Sequence, residues 1–137
     1  MTKTTTSGNR SVTEGLEASL QLAKAAAQTA AENRGQDVLI LDMRKLTAIF
    51  DYFVIATGAS RRQLHAISEE IDRVLEKELG DRRLGIEGYR ESRWIVLDYG
   101  SVVIHLFEEE AREYYDLENL WSEAGRVDIT ELLAGIR

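Results

Sequence analysis

The chain has 137 residues, with 17 basic and 24 acidic side chains for a formal net charge of −7, and it contains no cysteine. That length suits a single domain with a core of its own, and the missing cysteines exclude a disulfide framework, a zinc–cysteine cluster and a thiol nucleophile. The negative balance argues against sequence-specific nucleic-acid binding by phosphate neutralisation and in favour of a basic partner.

Residues 1–10, MTKTTTSGNR, are polar and low in complexity and read as a flexible tail. They contain no apolar core of a secretory leader, and no stretch of the chain approaches the ~20 apolar residues of a membrane span. The expected compartment is therefore the cytoplasm, with no membrane association. Ser11-Val12-Thr13-Glu14 forms a capping box that opens a helix with Leu16, Leu20, Ala23, Ala27 and Ala30 on one stripe, ending near Gly35. Val38 to Leu41 lies in a near-continuous apolar run between Asp37 and Asp42, the habit of a strand covered on both faces.

Residues 51–57 read as a second strand that empties through Gly58 onto Ser60-Arg61-Arg62-Gln63, a second capping box. Leu64, Ile67, Ile71, Val74 or Leu75, and Leu79 then form a helical stripe stopped by Gly80, and Leu84 to Tyr89 is a weaker strand. Arg93 to Tyr99 and Val102 to Phe107 flank Gly100-Ser101, a two-residue hairpin turn of the Gly-X type. That turn pairs Tyr99 with Val102, Leu97 with Ile104 and Ile95 with Leu106 on one apolar face. The opposite face carries Trp94, Val96, Asp98, Val103, His105 and Phe107, and a one-residue slip would destroy the partition.

The mixed face suits a surface buried only when a partner arrives. The alternative is that Asp98 and His105 form a satisfied polar pair beneath a helix. Glu108-Glu109-Glu110 opens a further helix that docks through Tyr114, Leu117, Leu120 and Trp121, and Asp128 to Glu131 caps a short last helix. The organisation expected is a tail over 1–10, one domain over 11–124, and an extension with a short helix over 125–137.

The strand–glycine–helix junction at Thr57-Gly58-Ala59-Ser60 is a possible phosphate site. It has one glycine and no lysine, unlike a P-loop, and the next strand offers a single acid, Glu87, rather than a pair of carboxylates for metal ions. Serine, histidine and aspartate are available at Ser60, His65, His105 and elsewhere, without a nucleophile-elbow pattern. The junction reads as a turn, with no catalytic residue, no metal and no cofactor expected.

The stretches "DYFVIATGASRRQLHAI", "EGYRESRWIVLDYGSVVIHLF" and "REYYDLENLW" closely resemble, in order, the Iojap family of ribosomal silencing factors. The resemblance spans about Asp37 to Trp121. It implies an α/β fold with a mixed five-stranded sheet and flanking helices, like a catalytically inert nucleotidyltransferase. It also implies a non-enzymatic function: binding the large ribosomal subunit through ribosomal protein L-fourteen, blocking subunit joining and repressing translation under nutrient limitation. Family members form homodimers when free. Carried onto this chain, the partner-binding residues are Trp94, Val96, Asp98, Val103, His105 and Phe107, with Tyr115 as a further candidate. The rival readings are a nucleotidyltransferase-like enzyme and a dimerising scaffold unconnected with ribosomes.

Overall fold

The structure, a computed structural model, describes residues 3–136, with side-chain surroundings from Gly15 onward. Its elements in chain order are α1 (Lys3–Glu32), β1 (Gln36–Asp42), β2 (Tyr52–Gly58), α2 (Arg61–Leu79), β3 (Gly85–Glu87), β4 (Trp94–Asp98), β5 (Val102–Glu108), α3 (Glu109–Tyr115), α4 (Leu117–Leu120), β6 (Gly125–Arg126) and α5 (Thr130–Leu133). The strands form one sheet in the order β3-β4-β5-β2-β1-β6. Only β2 and β5 are parallel; every other neighbouring pair is antiparallel.

The expected mixed α/β class is correct, but the sheet has six strands rather than five. The added strand is β6, whose Gly125 and Arg126 pair with Asp42 and Leu41. Two residues carry no strand propensity of their own; the open edge of β1 makes them a strand. Val127, Ile129 and Leu132 then pack on the main core.

Helices α1 and α2 lie on one face. Ala23, Ala26, Ala27 and Ala30 are fully buried against Ile40, Val54 and Ile104, and the absence of bulk lets α1 approach closely. The helix begins at Lys3, ahead of the Ser11 capping box, which therefore sits inside it. At its other end Arg34 adopts φ 72°, while the Arg34 and Gly35 N–H groups bond the carbonyls of Ala31 and Ala30. That is a Schellman closure with arginine in the position usually held by glycine.

All seven residues of β2 are buried. β1 is covered on both faces along its apolar run, with Val38 and Ile40 on the main core and Leu39 and Leu41 on a second one, while its start at Gln36 and Asp37 is exposed and the register slips between Gln36 and Leu39. Gly58 ends β2 for a steric reason: a Cβ there would lie 2.6 Å from Leu64 Cδ2. Ser60 caps α2 by accepting the Gln63 N–H at 3.1 Å, and Gln63 Oε1 returns to the Ala59 N–H at 2.6 Å. The junction is a close-packed helix start.

The β4–β5 hairpin has the expected register, Ile95 opposite Leu106 and Leu97 opposite Ile104, with Tyr99 donating to the Val102 carbonyl at 2.9 Å. Gly100 takes φ 90°, which the first position of this turn demands. The single docking helix expected after β5 is instead two short ones, α3 and α4, broken at Asp116 with φ 49°. The break changes the helical phase. Ala111 and Leu117 are buried and Trp121 partly so, while Tyr114 (81% exposed) and Leu120 (68%) point away from the sheet.

Candidate partner-binding face

Alternation along β4 places Ile95 and Leu97 in the main core and leaves Trp94, Val96 and Asp98 partly exposed on the opposite face. Directly across the ladder stand Phe107, His105 and Val103. The six side chains therefore share a face as the alternation predicts, but they are not equally accessible. Phe107 is wholly buried, and Val103 and His105 are each 6% exposed. The reason is a second core on this face: α3 and α4 bring Ala111 and Leu117 together with Phe53, Ile55, Val103 and Phe107. A uniformly open hairpin face is thus incorrect; half is roofed and half is open.

Trp94 stands at the boundary between the two halves. Its ring stacks on Phe107 with centroids 4.9 Å apart and packs against Tyr115 at 4.5 Å, and Tyr115 in turn meets Tyr114 edge-on at 5.0 Å. Its Nε1–H donates to His105 Nδ1 at 3.1 Å. On one side of the indole is a cleft of about 600 Å³, lined also by Glu91, Arg93, Glu110, Tyr114 and Tyr115. On the other is an open groove of about 560 Å³, lined by Phe50, Phe53, Val96, Val103 and His105, with Glu87 and Asp98 among its walls. Trp94 is common to both concavities.

His105 and Asp98 do not pair. Asp98 Oδ1 accepts the Gly100 N–H at 2.8 Å and braces the hairpin turn. Burial pushes the His105 imidazole down to about 4, so it is neutral near pH 7. Tyr115, 49% exposed, serves as the outer wall of Trp94. Its helix is pinned by Arg112, which bonds Glu118 at 2.8 Å and Thr57 Oγ1 at 2.7 Å, tying α3 to α4 and to β2.

Phe50, Phe53, Tyr114 and the carboxylates Glu91 and Glu110 are the members of this face that sequence reasoning missed. A signal for Phe53 was present: in the parallel register it lies opposite Val103, and β2 alternates in step with β5. The others are brought in by loops and by the two ends of α3.

Elsewhere, His65 and Asp42 have local structural partners. His65 Nε2 lies 2.7 Å from the Tyr89 carbonyl, which can only accept, and 2.5 Å from Ser92 Oγ; its ring stacks on Tyr89 at 4.0 Å. Ser92, 1% exposed, donates to the Tyr89 carbonyl, so the pair clamps the loop before β4 onto α2. Asp42 chelates Arg44, whose guanidinium holds its carboxyl below the ordinary value. Among the described residues no group of three or more histidine, aspartate or glutamate side chains is placed to hold a metal ion. None of the described helices is long and apolar enough to cross a membrane.

Residues 16–136 match the family described as "Ribosomal silencing factor during starvation". The chain belongs to that family. The match extends past Trp121 and takes in β6 and α5, which the resemblance read from sequence had left outside. Among its relatives, ribosomal silencing factor RsfS of Bacillus subtilis (strain 168) is 39% identical over 107 residues, covering 77% of this chain and 89% of the relative. "Mitochondrial assembly of ribosomal large subunit protein 1" of Mus musculus is 36% identical over 93 residues, covering 66% of this chain and 41% of the mouse protein. A crystal structure of a Chromobacterium violaceum protein superposes with a TM-score of 0.72 at 36% identity, over 75% of this chain and 85% of the other. Family and fold therefore agree.

Proposed function

We propose that this protein binds the large ribosomal subunit through its Trp94 face, with ribosomal protein L-fourteen as the contact, and so blocks joining of the small subunit. The outcome is lowered translation when nutrients are scarce, in the cytoplasm and without catalysis. The observation that carries the reading is the position of Trp94, an aromatic anchor shared by two concavities at the boundary between the roofed and open halves of the sheet face. Partly buried aromatics in such settings dominate binding energy when a partner completes the pocket. The net charge of −7 suits a basic ribosomal protein, and the family's own description names the ribosome and starvation.

In this reading Trp94 and Val96 supply the apolar centre, Asp98 faces a partner cation, and Tyr115 walls the indole. Val103, His105 and Phe107 support them from β5. Free protein covers the same face by homodimerisation, since the apolar groove beside Trp94 and Val96 is of the kind that seldom stays uncovered. The deciding experiment is sucrose-gradient sedimentation of purified protein with separated ribosomal subunits. Co-migration with the large subunit, and loss of joining when small subunits are added, is the expected result. Migration at the top of the gradient would overturn the proposal. Light scattering that shows only monomer at high micromolar concentration would remove the homodimer.

A further inference from the structure

We infer that His105 is the positioning residue for Trp94, fixing which edge of the indole faces the partner. The inference rests on the Trp94 face being the partner-binding face. Indole Nε1–H can only donate, so the 3.1 Å contact makes His105 Nδ1 the acceptor and places the imidazole proton on Nε2. That Nε2–H is buried and has no hydrogen-bond partner among the described residues. It lies in a ring packed edge-on to Phe53, with centroids 4.7 Å apart. An unpaired buried donor is destabilising, and a leucine here would fill space without it. The histidine is therefore useful for its other nitrogen.

Stacking does not do the same job. Phe107, stacked on the ring, sets the plane of the indole, and Tyr115 packs against it at a tilt of 44°. Rotation by half a turn about χ2 keeps that plane nearly unchanged while exchanging the edges, and this torsion has broad, roughly two-fold wells. The hydrogen bond to His105 separates the two arrangements. Burial keeps the imidazole neutral near pH 7, so the acceptor lone pair is present where the protein works.

The test uses the full chain and large ribosomal subunits. His105→Leu should keep the far-ultraviolet circular dichroism of the parent and shift the Trp94 Nε1–H resonance, which Trp94→Phe assigns against that of Trp121. Its affinity should fall about three- to tenfold, the range of one net hydrogen bond. His105→Asn, whose amide oxygen falls near the place of Nδ1, should recover resonance and affinity, whereas His105→Gln, which reaches toward the place of Nε2, should not. In a Trp94→Phe background His105→Leu should add no further loss. If Trp94→Ala binds like the parent, the binding-face reading itself fails. If Trp94→Ala is defective but His105→Leu and His105→Gln bind normally, or His105→Leu adds its full loss in the Trp94→Phe background, the positioning role is overturned. Should His105→Leu not fold, the contrast between the Asn and Gln variants decides.

Discussion

Trp94→Ala and Leu97→Ala, two residues apart on β4 but on opposite faces, should separate binding from stability. Trp94 loses one hydrogen bond, net about 1 kcal/mol, and two ring contacts at about 0.5–1 kcal/mol each, so the fold should weaken by about 2–3 kcal/mol. Leu97 is fully buried in the main core, where truncation to alanine costs about 3–5 kcal/mol through lost burial and a cavity. At this chain length each kcal/mol moves Tm by roughly 3–5 °C, so Leu97→Ala melts lower. Binding should order them the other way. Loss of an interface aromatic costs about 2 kcal/mol or more, about 30-fold in affinity, and Trp94→Ala should drop out of the large-subunit fraction. Leu97→Ala, measured below its own Tm, should bind as the parent does. The assay is co-sedimentation against a titration of large subunits, with circular dichroism melts on the same preparations. A folded Trp94→Ala protein that binds within twofold of the parent refutes the assignment of the face; so does a Leu97→Ala protein that is folded and equally defective.

Asp98→Lys should weaken subunit binding, with the defect shrinking as salt rises, while Asp98→Asn keeps the acceptor for the Gly100 N–H and so separates charge from turn geometry in a salt-titrated binding assay. Arg112→Ala should cost about 2–4 kcal/mol in a urea melt, because it strands the Glu118 carboxylate and frees Thr57; the parent value would disprove the pinning role of the pair. Gly58→Ala should cost about 1–3 kcal/mol by forcing Leu64 away from β2, read as a lower urea midpoint with unchanged slope. The His105 pKa falls from 6.5 unfolded to about 4 folded, so the unfolded chain takes up the proton first and stability declines as pH falls through that window. The decline amounts to about 3 kcal/mol in full, and urea melts between pH 7 and 5 should show it in the parent and less of it in His105→Leu.

Where a pattern is repeated over several residues, the sequence was readable. The alternation of Trp94 to Phe107 about a two-residue turn determined register and facing together, because any slip would have mixed apolar and charged residues on both sides. The alanine stripe of α1 and the Ser60 cap were equally plain. What stayed hidden depends on single backbone conformations or on distant pairing. Asp116 takes a left-handed φ that its residue type permits but does not announce, and that residue divides one expected helix into two. β6 exists only because β1 offers an edge. The covering of Phe107 followed from the same break, since a continuous helix in phase with Tyr114 and Leu120 would have roofed the face differently. The candidate site was thus legible as a list of side chains on one face, but not as a surface, because which half is covered depends on Asp116.

That dependence makes the covering helices part of the site. Arg112 reaches Glu118 across the Asp116 break and Thr57 on the central strand, so the angle between α3 and α4 is held by a charged group rather than by helix propensity. Tyr115, the last residue of α3, inherits its place against Trp94 from this bracing. Trp94 therefore has support from three side chains: Phe107 and His105 on the neighbouring strand β5, and Tyr115 at the end of α3. Of the three, only Phe107 is wholly buried. The segment "REYYDLENLW" joins the bracing arginine, the wall tyrosine, the break and the docking leucine in one short run. Loosening the bracing at Arg112 should therefore weaken the binding face without touching any side chain that meets the partner, through movement of Tyr115 away from Trp94.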